Sequence, residues 1–379
     1  MLKLTNIGPV TGKKPNYGIN DLLNKGEVDW GSIEKQFDWV APMQNCMQDH
    51  RFHAEGDVWT HTKMVVEELM KFEEFQELQE EEQYILFLSA LLHDIAKPIC
   101  TITDDEGYIR SPRHAKVGEK VVRQLLWGAD FEARELISGL VRLHGLPLWG
   151  IRKSNPNTSI MSSSLRLPNN WLYLLAKADV LGRISADQEN SLFQVELFKE
   201  LCIENDCWEL PKNFHNEHSK FRFFFKREEH PAELYDDTDF EILILSGIAG
   251  SGKDTYASQF DLPMISLDDI RKQLKIKHTD KKGQGKVAQY AYTLAKSYAA
   301  KKQPFIWNST NLTSDLRMRV IRALSVYNPR FKLAYIETSE ANIQARRGAT
   351  IPKKNIRSMF RLLEMPMPYE VHEIEYFRN

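Results

Sequence analysis

Histidines and aspartates scattered through the first half of this chain form a set that could hold metal ions. They are His61, the pair His93-Asp94, His114, His144 and Asp179, with one of His50 or His53 as a further candidate. Imidazole with carboxylate is a donor set for zinc, manganese, iron, cobalt or nickel, not for calcium. His93-Asp94 alone would read as a buried histidine beside a capping aspartate. The wider pattern argues otherwise, because each histidine falls at a helix terminus or in a loop beside one. The second half carries a different chemistry. Gly247-Ile248-Ala249-Gly250-Ser251-Gly252-Lys253-Asp254-Thr255 fits G-x-x-x-x-G-K, except that Asp254 stands where a hydroxyl residue is expected. Backbone N–H groups of such a loop and the helix after it would cradle phosphates, with Lys253 adding a point charge.

The elements that position these residues follow from apolar periodicity. Tyr84, Phe87, Leu88, Leu91 and Ile95 keep a helical period up to His93-Asp94, and Pro98 is expected to stop that helix. Adjacent helical residues project ~100° apart, so the pair offers two ligands to one small site. Residues 1–30 carry loop signals, with a short helix near Asp21 and another over Ser32–Val40. Helices are expected from the His61 segment through Phe72, and over His114–Leu126, Phe131–Leu143 and Trp171–Ser185. Thr101–Ser111 reads as a turn or hairpin around Asp105-Glu106-Gly107. This half is therefore all-α.

The character changes after about Leu210. Phe221–Lys226 has two readings, an amphipathic interdomain strand or an aromatic-basic surface that stacks bases. Strands are then expected at Phe240–Ser246, Met264–Leu267, Pro304–Trp307 and Lys332–Ile336. They alternate with helices at Asp254–Phe260, Val287–Lys301 and Ser314–Ser325 and a lid helix near Ser339–Arg347, the pattern of a parallel α/β sheet. The expected domains are 1–218, a linker over 219–237, and 238–379.

Composition bounds the function. A chain of 379 residues with 42% hydrophobic and 27% charged residues is a core-forming protein of two or three domains. A net charge of -2 argues against a uniformly basic surface, although the sum can hide a local basic groove. Cys46, Cys100, Cys202 and Cys207 show no C-x-x-C spacing, so neither a zinc ribbon nor a disulfide framework is expected. With no signal peptide and no apolar run of membrane length, a cytoplasmic location is expected.

The ordered pattern H…HD…D, with two further histidines, resembles that of HD-domain metal phosphohydrolases. Glu55–Thr62, Leu91–Pro98 and Ala178–Arg183 look especially like the HD domain attached to bacterial tRNA CCA-adding enzymes. No nucleotidyltransferase block precedes them, so a CCA-adding enzyme is not expected. The resemblance implies that His61, His93, Asp94 and Asp179 hold one metal, and that Asp94 bridges to a second held by His114 and His144. Such a pair activates water and clamps phosphate oxygens. Lys97 and Arg183 would neutralise phosphate charge, or merely solvate helix ends. His53, Glu55 and Asp57 would support the ligands or the leaving group, or serve as capping and turn residues.

The second half resembles phage-type 5′-OH polynucleotide kinases. Leu267-Asp268-Asp269-Ile270-Arg271 matches that family's D-D-x-R segment. The resemblance implies that Asp268 is the general base for a 5′-hydroxyl and that Arg271 grips the neighbouring phosphate. A helix N-cap is the alternative for Asp268. Ser309-Thr310-Asn311-Leu312 with Arg317 matches a D-T-N-L block that binds the acceptor, and Arg346-Arg347-Gly348 matches the lid over ATP. The family's hydroxyl and aspartate are exchanged here as Asp254 and Ser309, which would keep one carboxylate and one hydroxyl near Mg²⁺.

Together the two halves resemble bacterial HD-domain polynucleotide kinases that heal nucleic-acid ends. That implies ATP and Mg²⁺ for the kinase and two divalent transition-metal ions (Mn²⁺, Ni²⁺, Co²⁺, Fe²⁺ or Zn²⁺) for the other site. The implied partners are RNA or DNA ends and a separate RNA ligase downstream, with no membrane. Self-association is left open. The competing readings are a nucleotide-metabolism enzyme with a small-molecule kinase, and a non-enzymatic RNA-binding regulator that senses nucleotides.

Overall fold

The computed structural model describes residues 22–24, 27–150, 155–277, 279–347 and 351–378. The expected loops of the first twenty residues, the helix expected near Asp21, and Gly348 of the expected lid lie outside them. The chain divides into two compact units, meeting at Asn213 and Phe214.

The first unit is helical. Its principal helices are Val58–Lys71, Glu80–Leu92, His114–Leu125, Phe131–Leu143, Asn169–Leu181 and Gln188–Glu204. Their starts have identifiable causes. Asp57 accepts from the amides of Trp59 and Thr60, Asp130 from those of Glu132 and Ala133, and Gln79 with Glu82 forms a capping box. Trp30–Gln36 and Val40–Gln44 replace the single helix expected over Ser32–Val40. Two short antiparallel pairs complete the unit: β1 (Leu23–Asn24) with β2 (Glu27–Val28), and β3 (Ile102–Thr103) with β4 (Ile109–Arg110). One core, including Trp59, Val65, Phe87, Leu91, Val122, Leu140 and Leu175, joins the helices. Each such side chain contributes roughly 1.5–3 kcal/mol by leaving water.

The helix expected to run to Pro98 ends at Leu92 instead. Proline has no N–H to give the Asp94 carbonyl one helical turn back, so the amide of Lys97 bonds it at 2.9 Å and the chain tightens. His93 and Asp94 therefore stand in a turn, and Pro98 lies in the first turn of a new helix, Lys97–Cys100.

The second unit opens on a helix, Glu217–Lys226, where a linker strand was expected. Asn216 caps it by accepting from the amide of Ser219. Phe221 and Phe225, one turn apart, stack at 5.1 Å. Phe221 and Phe223 are buried, so these rings pack the unit and do not offer a base-stacking surface. The Phe-Arg-Phe alternation suggested a strand, but the cap and the i, i+4 stacking favour a helix.

Behind it lies an all-parallel sheet of β5 (Glu241–Ser246), β6 (Met264–Ser266), β7 (Phe305–Asn308), β8 (Arg330–Glu337) and β9 (Glu373–Arg378), in the order β6-β7-β5-β8-β9. β5 is flanked by β7 on one side and β8 on the other, so the strands that follow it in the chain fall on both sides of it. The crevice at the carboxyl ends of these strands is therefore a natural ligand site. β9 was not anticipated.

His372, just before β9, is fully buried against Phe221 and accepts a hydrogen bond from the amide of Phe331 at 3.0 Å. Burial, then the neighbouring His218, push its pKa down to about 3. The fold thus holds the neutral ring, and the unfolded chain takes up the proton first. Stability from this residue is present above about pH 6.5 and is lost as pH falls toward 3, at up to ~1.4 kcal/mol per pH unit. Urea unfolding between pH 7 and 4.5 should show a shallower loss in His372→Asn than in the wild type.

Candidate functional site

In the helical unit, four histidines present their rings in the same way. His61 lies in the first turns of its helix, with Nδ1 at 3.1 Å from the Gly182 carbonyl and 3.0 Å from the Glu55 carboxylate. Nδ1 of His93 lies 2.8 Å from the Ala90 carbonyl, that of His114 2.8 Å from Ser111, and that of His144 2.9 Å from Val141. A carbonyl can only accept, so each Nδ1 donates and a neutral ring carries its lone pair on Nε2.

Those Nε2 atoms converge on Asp94. His93 Nε2 is 3.1 Å from Asp94 Oδ2, His61 Nε2 is 3.9 Å from the same oxygen, and His114 Nε2 is 3.4 Å from Oδ1. The Nε2 atoms of His114 and His144 face each other at 3.2 Å. Two lone pairs so close repel unless a cation lies beside them. Asp179 Oδ1 stands 3.1 Å from His61 Nε2. The donors form two groups, His61/His93/Asp94 and Asp94/His114/His144, which share Asp94. His93 Nε2 and Asp94 Oδ1 are buried without a hydrogen-bond partner among the described residues. Orphaned donors of this kind are what a bound divalent cation would satisfy, so the side chains fit such an ion.

The charges agree. Burial opposes ionisation of Asp94, but Lys97 and His93 hold its pKa well below the usual carboxylate range. Arg183 and His61 do the same for the buried Asp179. Burial, with the charges of His114 and His93, pushes His144 down to about 3, leaving it neutral. Lys97 Nζ lies 2.6 Å from both Asp94 and Gln48, and Arg183 lies 2.5 Å from Asp179. Neither cation is a solvated helix end. Each is fastened to a carboxylate of the centre.

His53 joins the site, with its ring 4.7 Å from that of His61 and its Nδ1 2.8 Å from Glu55. Burial pushes its pKa down to about 4. His50 is exposed and outside the cluster. Asp57 does not serve the site: both its oxygens are taken by its own helix start. Sequence reasoning missed Gly182. A Cβ there would come within 2.6 Å of the Val65 backbone nitrogen, so only glycine brings its carbonyl up to His61. A cleft of about 730 Å³ opens over the centre, with Lys97, Arg113, Arg142 and Arg183 in its walls, a lining suited to phosphate.

In the sheet unit, a cleft of about 1010 Å³ lies at the carboxyl ends of the strands. Gly247, Gly250 and Gly252 turn with φ of 148°, 89° and 106°, and a Cβ on Gly247 would meet the Ile336 carbonyl at 2.3 Å. Lys253 Nζ contacts the carbonyls of Gly247 and Ile248 at 2.9 and 3.0 Å. Asp254, Thr255, Asp268, Arg271, Ser309 and Thr310 line the same cleft. Asp254 Oδ1 accepts from the Asn308 amide at 2.7 Å, and Asp254 and Ser309 line the same cleft, a carboxylate and a hydroxyl of the kind that suits a hard cation. Ser266, not Asp268, caps the following helix, Leu267–Gln273. The Asp268 carboxylate is 71% exposed and pairs with Arg271, which is itself tied to Gln284 at 3.0 Å.

Residues 242–359 match the AAA domain family model. That span, less than half of the chain, holds β5 to β8, the glycine loop and Asp268. No curated protein matches the chain. Among solved structures, a candidate kinase from Chloroflexus aurantiacus J-10-fl is 16% identical with a TM-score of 0.31, covering 38% of this chain and 86% of that one. A gluconokinase from Sinorhizobium meliloti 1021 is 17% identical with a TM-score of 0.27, covering 37% and 83%. Likenesses this weak say nothing of this chain's activity. The second unit is a P-loop α/β domain, the N-terminal region is helical, and no helix among the described residues is long and apolar enough to cross a membrane.

Two expected contacts of the P-loop domain with substrate are corrected. Arg317 is fully buried, with its guanidinium on Glu370 at 2.6 and 2.8 Å and on the carbonyls of Asn311, Glu364 and Met365. Asn311 is also buried, its amide donating to the Leu245 carbonyl at 2.7 Å. Both lock the loop after β7, and neither reaches the cleft. Arg317→Ala orphans the Glu370 charge and should destabilise the domain by about 3–5 kcal/mol. A melting temperature within a degree of the wild type would contradict this. The Arg347 side chain lies outside the described residues. Its neighbour Arg346, from the same expected lid block, reaches the Gly250 carbonyl at 3.3 Å and lines the cleft.

Proposed function

We propose that this chain is a bifunctional enzyme of nucleic-acid ends. The helical unit is an HD-type phosphoesterase that removes 2′,3′-cyclic phosphate and 2′- or 3′-phosphate. The P-loop domain transfers the γ-phosphate of ATP to a 5′-hydroxyl polynucleotide end. The observation that carries the reading is the position of Asp94, shared by two histidine groups whose Nε2 atoms all turn toward it. Two divalent ions bound there would supply an activated water and a clamp for phosphate oxygens. The chain's own part is to hold the four imidazoles in one tautomer through Gly182, Ala90, Ser111 and Val141. Lys97 and Arg183 steady the two aspartates and add positive charge to the cleft. Arg113 and Arg142 orient a phosphate at its wall.

In the P-loop domain, the glycine loop and Lys253 hold the donor phosphates, and Asp254 and Ser309 would ligate Mg²⁺. Asp268, exposed at the lip, takes the proton of the attacking hydroxyl, and Arg271 orients it. The products, a 3′-hydroxyl and a 5′-phosphate, are the ends a ligase joins, and a separate ligase in the same cytoplasm would use them.

The test has two arms. A 5′-hydroxyl oligonucleotide is incubated with labelled ATP and Mg²⁺, and a 2′,3′-cyclic-phosphate oligonucleotide with Mn²⁺ or Ni²⁺. Label on the first and a free 3′-hydroxyl on the second are expected. Turnover of mononucleotides or small alcohols alone, with both oligonucleotides untouched, would overturn the proposal.

A further inference from the structure

Beside Asp268 and Arg271 the chain changes its charge abruptly. From Lys272 to Lys286 it carries Lys272, Lys275, Lys277, Lys281, Lys282 and Lys286 against Asp280 alone, in a protein whose net charge is -2. All six lysines are exposed. Lys272 pairs with Asp269 at 2.8 Å, whereas Lys275, Lys277, Lys281, Lys282 and Lys286 have no carboxylate partner among the described residues. An ordinary solvated face mixes signs, and this one does not.

Its position in the fold gathers positive charge at a helix start. Lys281 and Lys282 open the 20-residue helix Lys281–Ala300, whose first turn has no acidic residue. The cap carboxylate of Asp280 offsets the partial positive charge of the helix start, but the lysines around it outnumber it. The segment is built, not loose. Asp280 caps the helix through the Gly283 amide, Gln284 donates to the Lys277 carbonyl at 2.9 Å, and Gln284 also receives the Arg271 Nε. The lysines are thus joined through Gln284 to a residue that lines the P-loop cleft. Tyr290, 42% exposed, lies one turn beyond Lys286 on the same face.

We infer that Lys275–Lys286 is a track for the phosphodiester backbone of the acceptor strand, running from the 5′ end at Asp268 toward Tyr290, where a base can stack. This rests on the proposed kinase reading and deepens it. It makes the preferred acceptor a single strand several nucleotides long, not a nucleoside or a sugar.

The test compares wild type with Lys281→Gln/Lys282→Gln/Lys286→Gln, using Lys296→Gln/Lys301→Gln, at the far end of the same helix, as the control. Two quantities are measured at 50 and 200 mM KCl: binding of a labelled 5′-hydroxyl 20-mer by anisotropy, and KM for that 20-mer and for a dinucleotide. Each phosphate contact adds about 0.7 to the log–log salt slope for a single strand, so losing three should flatten it by about 2. The triple variant should raise KM for the 20-mer at least tenfold more than KM for the dinucleotide, and the control should do neither. A triple variant with the wild-type salt slope and 20-mer KM would overturn the track, as would a wild type that does not bind the 20-mer. A wild type that binds the 20-mer with a slope the variant flattens, yet phosphorylates nothing, would keep the track and overturn the kinase reading.

Discussion

Asp94→Asn is expected to lower turnover of a 2′,3′-cyclic-phosphate end by about 10³-fold or more and to leave 5′ phosphorylation within about twofold of wild type. The size follows from the position. Asp94 is the residue common to both donor groups, so losing its charge weakens both at once. A few kcal/mol of lost stabilisation is a factor of about ten for each 1.4 kcal/mol. The change also removes the carboxylate charge 2.6 Å from Lys97 Nζ, which keeps the Gln48 side-chain amide oxygen as a neutral partner. The helical unit should therefore melt earlier, and the assay belongs well below that temperature. His114→Ala separates the two effects. His114 is only partly buried and belongs to one donor group, so it should cost activity with little change in melting. If Asp94→Asn trims ends at the wild-type rate while folded, the metal-centre account fails.

Lys253→Ala should do the reverse. Its ammonium closes the glycine loop through the Gly247 and Ile248 carbonyls and is the buried cation of the cleft where donor phosphates would lie. Loss of one such preorganised charge typically costs on the order of 10²–10³ in turnover. Phosphorylation of a 5′-hydroxyl oligonucleotide should fall by at least that much, with phosphoesterase activity unchanged. Equal loss of both activities in a folded Lys253→Ala protein would contradict two independent sites.

Much of this site was legible in the sequence because its chemistry sits in side chains. His61, His93, Asp94, His114, His144 and Asp179 could be named from residue type and from their places at helix ends, and the glycine loop from its spacing. What could not be read is carried by backbone. The carbonyls of Gly182, Ala90, Ser111 and Val141 fix the imidazole tautomers, yet a carbonyl belongs to every residue. Arg317 looked like a substrate contact because it follows the Ser309–Leu312 block that resembles an acceptor-binding one; its partner Glu370 lies 53 residues on, beyond any local pattern. Gln188–Glu204 escaped notice because its apolar residues follow no clear single stripe, and β9, Glu-Ile-Glu-Tyr-Phe-Arg, because an edge strand tolerates charges that a central strand would not. The Glu217–Lys226 helix shows the opposite failure, where the period-2 pattern of Phe221–Lys226 was overridden by an asparagine cap and i, i+4 ring stacking.

The most direct test of the shared carboxylate is metal stoichiometry. The purified chain, stripped with chelator and reloaded with Mn²⁺, is titrated by calorimetry alongside Asp94→Asn and His144→Ala. Two ions per wild-type chain, one for His144→Ala and none held tightly by Asp94→Asn is the expected result. Wild-type stoichiometry in Asp94→Asn, or no Mn²⁺, Ni²⁺, Co²⁺, Fe²⁺ or Zn²⁺ bound by the wild type, would contradict it.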